Sequence, residues 1–177
     1  FFLFKKIKMK KNILILILLT STTLFSQTSI NNYLIDWERS KNHSLAILKE
    51  MPEDKFNVKA SLDVRSFSEE FKHIVGSTYY MMSTALTIEA PKIDLESISS
   101  KNEMISTVSN CYDWVIKSLS AYDESKNSDI IELFGRVKVS KERAIYKIYE
   151  HQAHHKSKAI VTQRVAGIKP PDYMLFD

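Results

Sequence analysis

Residues 149–164, which read YEHQAHHKSKAIVTQR, decide how the chain is interpreted. In a helix, His151 and His155 would be separated by about 40° around the axis, so both imidazoles would lie on one face. The same face carries residues that are small or apolar: Ala144, Ile148, Ala159, Thr162 and Ala166. Such a stripe is typical of a helix that packs against its neighbours. The pattern predicts a buried helix face that offers two imidazoles to one metal ion.

A metal site is one of two interpretations of this pair, because histidines with this spacing also arise by chance in helices, where the rings only pack. His154 would lie roughly 100° from the centre of the stripe, near Lys147 and Lys158, which makes it the weaker ligand. A site built on His151 and His155 therefore needs one more ligand from elsewhere in the chain.

The start of the chain has the pattern of a secretory signal peptide. Residues 10–20, KKNILILILLT, join basic residues to a short apolar run, and small polar residues follow as far as Ser26. The apolar run is shorter than the roughly 20 residues that span a bilayer, and an uncleaved anchor is the alternative. We expect Met9 to be the true start, so that residues 1–8 are upstream sequence and the signal peptide extends to residue 26. The mature protein would then be secreted or periplasmic, without stable membrane association.

The remaining part, residues 27–177, is long enough for one domain. The net charge of +4 comes largely from five leader lysines; without them, 20 basic and 21 acidic residues remain, a net charge of −1. This composition lacks the electrostatic footprint of a nucleic-acid-binding protein. The lone Cys111 cannot form an internal disulfide and lies among apolar periodic positions, so we expect a buried core thiol.

Only three glycines occur in 177 residues, which favours long helices over a sheet with many tight turns. Apolar periodicity predicts helices at residues 30–51, 66–88, 104–119 and 140–166. Ser66 and Glu69 form a capping-box sequence at the second helix, and Ser140 is the expected cap of the fourth. Residues 123–139 are predicted to form a short extended loop or a hairpin. The fold class is therefore all-α, a four-helix bundle.

The second predicted helix supplies His73, which a bundle would place beside the fourth helix. Three neutral imidazoles suit a borderline divalent metal such as Zn²⁺ or Ni²⁺ and leave one tetrahedral position open. A metal-bound water there would have its pKa lowered to about 7 and would act as the nucleophile without a side-chain base. The predicted ligands are therefore His73, His151 and His155.

Two familiar metal motifs do not match this sequence. The zincin helix needs a glutamate directly after its first histidine, whereas Gln152 follows His151. Carboxylate-bridged di-iron bundles need two Glu-x-x-His pairs, and Glu70 with His73 supplies one. We therefore expect a mononuclear site, in which Glu70 orients His73 or a bound water, or else only favours the start of its helix. His43 is expected on the surface of the first helix.

Several segments together resemble the DinB family of bacterial four-helix bundles: residues 65–67 (RSF), 71–74 (FKHI), 150–156 (EHQAHHK) and 164–171 (RVAGIKPP). The similarity extends over nearly all of the chain after the leader. In that family, one histidine of the second helix and an H-x-x-x-H pair of the last helix bind a divalent metal, which here implies His73, His151 and His155. In the family, Gly-Gln commonly follows the basic residue after the last histidine. Here Ser157-Lys158 stands in its place, a departure that affects packing more than metal binding.

The resemblance implies less about function. Members of the wider superfamily are thiol-dependent transferases and isomerases, many others have no known reaction, and relatives often form homodimers. The family name refers to induction by DNA damage and implies no nucleic-acid partner. Our hypothesis is an exported metal-dependent hydrolase or transferase that acts on an unknown small-molecule substrate. The alternative is a non-catalytic helical bundle that binds a metal or another ligand.

Overall fold

The computed structural model describes residues 29–176, which form four α-helices, two short 3-10 helices (Glu53–Lys55 and Glu124–Lys126) and one hairpin. The helices are α1 (Ser29–Glu50), α2 (Phe67–Leu86), α3 (Lys101–Ser120) and α4 (Lys141–Val165). Strands β1 (Ile130–Leu133) and β2 (Val137–Ser140) pair antiparallel between α3 and α4. The prediction of an all-α, four-helix fold is confirmed. Of the two alternatives predicted for residues 123–139, a loop or a hairpin, the structure has the hairpin, at residues 130–140. The predicted signal peptide and the start at Met9 lie outside the described residues.

Serine caps begin three of the helices. Ser66 accepts a hydrogen bond from the backbone N–H of Glu69, whose carboxylate accepts one from the N–H of Ser66 at 2.6 Å, which confirms the predicted capping box. The side chain of Ser140 accepts from the N–H of Arg143 at the start of α4, also as predicted. A second capping box, of Ser100 with Glu103, begins α3 and was not predicted. Caps of this kind are each worth about 1 kcal/mol.

The C-terminal ends of α2 and α4 are set by left-handed backbone conformations. Thr87 has a φ of 60° and its N–H donates to the carbonyl of Ser83, so α2 ends before the predicted limit at residue 88. After α4, Gly167 has a φ of 80°, and the N–H of Ile168 donates to the carbonyl of Gln163. This closure is the typical glycine stop of a helix.

Helix α2 packs along α4 and against α3, and the core lies among these helices and α1. The largest side chains with almost no exposed surface include Trp37, Phe67, Phe71, Met104, Tyr112, Leu119 and Ile145. On α4, the predicted packing face is buried at Ala144, Ile148, Ala159 and Thr162. Within residues 29–176, no helix combines the length and apolar composition that a membrane span requires.

Polar side chains occupy much of the inner face of α1. Ser40, His43 and Ser44 are each no more than 2% exposed. The expected surface position of His43 is therefore wrong: its side chain is buried, and its ring lies 5.7 Å from that of Tyr173, measured between centroids. Polar residue types broke the apolar pattern of this helix, so periodicity alone did not reveal the buried face.

Candidate metal centre

Helices α2 and α4 bring three imidazoles to one point. His73 comes from the second turn of α2, and His151 and His155 lie one turn apart on α4. One ligand nitrogen from each ring lies within 4.8 Å of the others. The ring centroids are 4.3 Å apart for His73 and His155, 4.5 Å for His151 and His155, and 5.2 Å for His73 and His151. The three rings are therefore close enough to share one cation.

Burial keeps these imidazoles neutral near pH 7. It lowers the pKa of His73 and of His151 to about 4, and the other rings and the guanidinium of Arg65 add to the effect. Burial also lowers the pKa of His155, against the opposing influence of its hydrogen bond to Glu70. Only the neutral form of imidazole has a lone pair to give to a metal. The protein therefore holds the three rings in the state that a metal requires.

A buried carboxylate orients the ring of His155. Oε2 of Glu70, a side chain only 1% exposed, lies 2.6 Å from Nδ1 of His155. Because a carboxylate accepts, Nδ1–H donates and Nε2 keeps its lone pair free for a metal. The Nζ atom of Lys158 lies 3.2 Å from the second oxygen of Glu70. The sequence reasoning had associated Glu70 with His73 or a bound water; the structure places it on His155.

A hydroxyl group sets the orientation of His151 in a similar way. The Oγ atom of Ser77 donates to the carbonyl of His73 and lies 3.4 Å from Nδ1 of His151. A hydroxyl that has donated its proton to a carbonyl can only accept, which favours a proton on Nδ1 of His151 and a free Nε2. Residues of α2 thus favour the Nδ1–H tautomer of His155 and of His151, the two α4 histidines of the cluster.

The other residues considered from the sequence lie outside the cluster. His154 is exposed and packs edge-on against His155 with 4.9 Å between ring centroids, in agreement with its lower rank as a ligand. Cys111 of α3 is buried in the core, as expected, and burial raises the pKa of its thiol.

Sequence reasoning missed an anchor beside the site. Gln152 had been considered only as a residue that cannot act as a base. Its Oε1 atom accepts hydrogen bonds from Ser40 of α1 and Tyr112 of α3, both at 2.9 Å, so it ties α4 to two other helices between the histidine positions. Lys156 is also buried and donates to Ser40. The signal in the sequence is faint, because nothing local marks these polar side chains as inward-facing.

The donor set fits a borderline divalent metal. Three imidazole nitrogens, with a carboxylate behind one of them, are typical of Zn²⁺ and Ni²⁺ sites, whereas Mg²⁺ and Ca²⁺ prefer oxygen ligands. His73 and His151 are only half-buried, so the centre is open on one side. Its arrangement can therefore hold a metal and admit a further ligand.

Two cavities adjoin the open side. The first, which we call the hairpin cavity, has a volume of about 430 Å³ and lies between Met81, Ala144 and the hairpin residues Leu133 and Val139, with His151 in its wall. The second, which we call the polar cavity, has a volume of about 680 Å³. Polar side chains line much of it, among them His73, Arg65, Lys72 and Ser77. Both volumes lie in the range of small-molecule sites.

The sequence profile of the DinB family matches residues 23–176. A solved DinB-like protein from Bacillus cereus ATCC 10987 has a TM-score of 0.67 and 18% sequence identity, with 77% of this chain and 92% of that one covered. A DinB-like protein from Bacillus subtilis has a TM-score of 0.64 and 19% identity, with 79% and 94% covered. No curated protein matches the sequence. The two structures share the fold, and the profile match over most of the sequence shows that the chain belongs to the DinB family.

Proposed function

We propose that this protein is an enzyme that uses one divalent metal ion, Zn²⁺ or Ni²⁺, to hydrolyse a small molecule or to transfer a group between small molecules. The observation that supports the proposal is the convergence of His73, His151 and His155, whose ligand nitrogens lie within 4.8 Å of one another. When bound, such an ion supplies Lewis acidity toward a substrate oxygen or sulfur.

The residues around the ligands have two tasks in this proposal. Glu70 accepts a hydrogen bond from Nδ1–H of His155 and keeps the ring from turning, while Lys158 balances the carboxylate charge. The guanidinium of Arg65 borders the polar cavity and adds positive potential at His73 and His151. Positive potential of this kind disfavours protonation of the ligands and favours a substrate that carries or develops negative charge.

The test is metal-dependent turnover by the reconstituted protein. We expect activity with a member of a panel of carboxylate esters, phosphate esters and thiol acceptors. That activity should disappear on chelation and in the His73→Ala variant. Lys169→Ala, at an exposed position beyond α4, is the control and should retain activity. Turnover that persists in His73→Ala would contradict the proposal.

The alternative function is that of a non-catalytic bundle that binds a metal or another ligand. Its supporting observation is that the described acidic side chain nearest to the ligands, Glu70, is already engaged by His155 and Lys158. It predicts no turnover by the metal-loaded protein with any substrate of the panel.

We also propose that the protein is exported, on the basis of the basic and apolar pattern of residues 10–20. Amino-terminal sequencing of the protein recovered from the periplasm or the medium should give a start close to residue 27. Recovery of the full-length chain from the cytoplasm alone would contradict export.

A further inference from the structure

The hairpin turns one face toward the metal centre. In the register of β1 and β2, Leu133 pairs with Val137 and Ile131 pairs with Val139. Side chains alternate along a strand, so these four lie on one face, while Ile130 lies on the other. Leu133, Val137 and Val139 line the hairpin cavity.

The interior of this cavity is apolar. Met81 and Ala144 are buried in its helical walls. Its charged neighbours, Lys147 and Glu150, form an ion pair with each other. An occupant of the cavity would therefore meet mainly apolar side chains, together with a charge pair already satisfied and the rings of His151 and His154. This environment suits an apolar group and offers little to a charged one.

One wall of the cavity is held in a strained conformation. Phe134, at the tip of the hairpin, has a φ of 57°, a region that glycine or asparagine occupies far more readily. Its ring stacks on Tyr80 with 5.6 Å between centroids and borders both the hairpin cavity and the polar cavity. Phe134 and Val137 are 52% and 46% exposed, so apolar surface on this wall remains uncovered. Strain kept at such a place is typical of a binding site.

We propose that the hairpin cavity binds the apolar part of the substrate, an aryl or short alkyl group, while the reacting group of the same molecule lies at the three-histidine centre. The inference rests on the proposed function and adds the substrate class. His151 links the two regions, because it is one of the three converging imidazoles and also lines the cavity. A molecule attached at the metal could thus extend past this ring into the cavity.

The test compares two probes with the same metal-binding head, acetohydroxamate and benzohydroxamate, on protein loaded with one equivalent of Zn²⁺. Calorimetry should show that benzohydroxamate binds at least about tenfold more tightly, because the phenyl group adds apolar surface that is removed from water. The Val137→Glu variant should lose this preference and still bind acetohydroxamate. The matched control, Ile130→Glu, places the same charge on the opposite face of the hairpin and should retain it.

The possible outcomes distinguish a failure of this inference from a failure of the proposed function. Equal affinity of the wild-type protein for both probes overturns the inference and leaves the metal centre in place. Equal behaviour of Val137→Glu and Ile130→Glu also overturns it. If acetohydroxamate fails to bind the zinc-loaded wild type, the proposed open metal centre is overturned, and the inference fails with it.

Discussion

Nδ1 of His155 lies 2.6 Å from Oε2 of Glu70, and both side chains are buried where α2 packs along α4. A carboxylate in this position fixes which nitrogen of the ring carries the proton. It also increases the basicity of the nitrogen that remains free. The contact therefore links helix packing to the chemistry of the candidate metal centre.

This contact predicts that Glu70→Gln weakens metal binding. Glutamine has nearly the same shape and can still accept from Nδ1, but it lacks the negative charge. Loss of a partner of this kind typically reduces metal affinity about 10–100-fold. Competition with a chromogenic chelator would measure the change. Glu89→Gln, at an exposed position after α2, is the control, and its metal affinity should match that of the wild type. If Glu70→Gln also binds the metal as tightly as the wild type, the role given to Glu70 is contradicted.

Burial of His43 predicts an acid-sensitive fold. Burial lowers the pKa of His43 to about 4, with Lys156 and Arg39 contributing, from an ordinary value near 6.5. Between these values the unfolded chain binds more protons than the folded protein, so this contribution to stability is lost as the pH falls from about 6.5 to about 4. His43→Gln removes the titrating group.

Thermal unfolding of metal-free protein between pH 7 and pH 4 would test this effect. The three site histidines contribute to the pH dependence of both proteins, so the difference between the two isolates His43. We expect a shallower decrease of the unfolding temperature in His43→Gln. Parallel curves for the variant and the wild type would show that His43 is not kept neutral by the fold.

The hairpin tip predicts a trade between stability and binding. A left-handed conformation costs a non-glycine residue about 1–2 kcal/mol, and asparagine tolerates it better than phenylalanine. Phe134→Asn should therefore unfold at a temperature no lower than the wild type, despite loss of the stacking on Tyr80, and should bind benzohydroxamate more weakly. The comparison is a change at the neighbouring Gly135, which also has a left-handed backbone conformation, with a φ of 64°. Gly135→Ala should lower the unfolding temperature by about 2–4 °C. A strongly destabilised Phe134→Asn would show that the ring serves the fold rather than a ligand.

Local patterns in the sequence predicted the features that depend on neighbours along the chain. Ser66 with Glu69 marked a helix start, and the spacing of His151 and His155 placed both rings on one face. Predicting His73 as the third ligand needed only one further assumption, that α2 lies beside α4. Features that depend on the rotation of one helix against another were missed. The partner of Glu70 and the burial of His43 follow from which side of α2 and of α1 faces α4, and no local pattern encodes that choice.

The most direct test of the central claim is the metal content of the purified protein after reconstitution and dialysis, measured by elemental analysis. We expect close to one equivalent of Zn²⁺ or Ni²⁺ per chain in the wild type and in His154→Ala, and little or none in His155→Ala. A wild-type protein that retains no metal, or a His155→Ala variant that retains as much as the wild type, would contradict it.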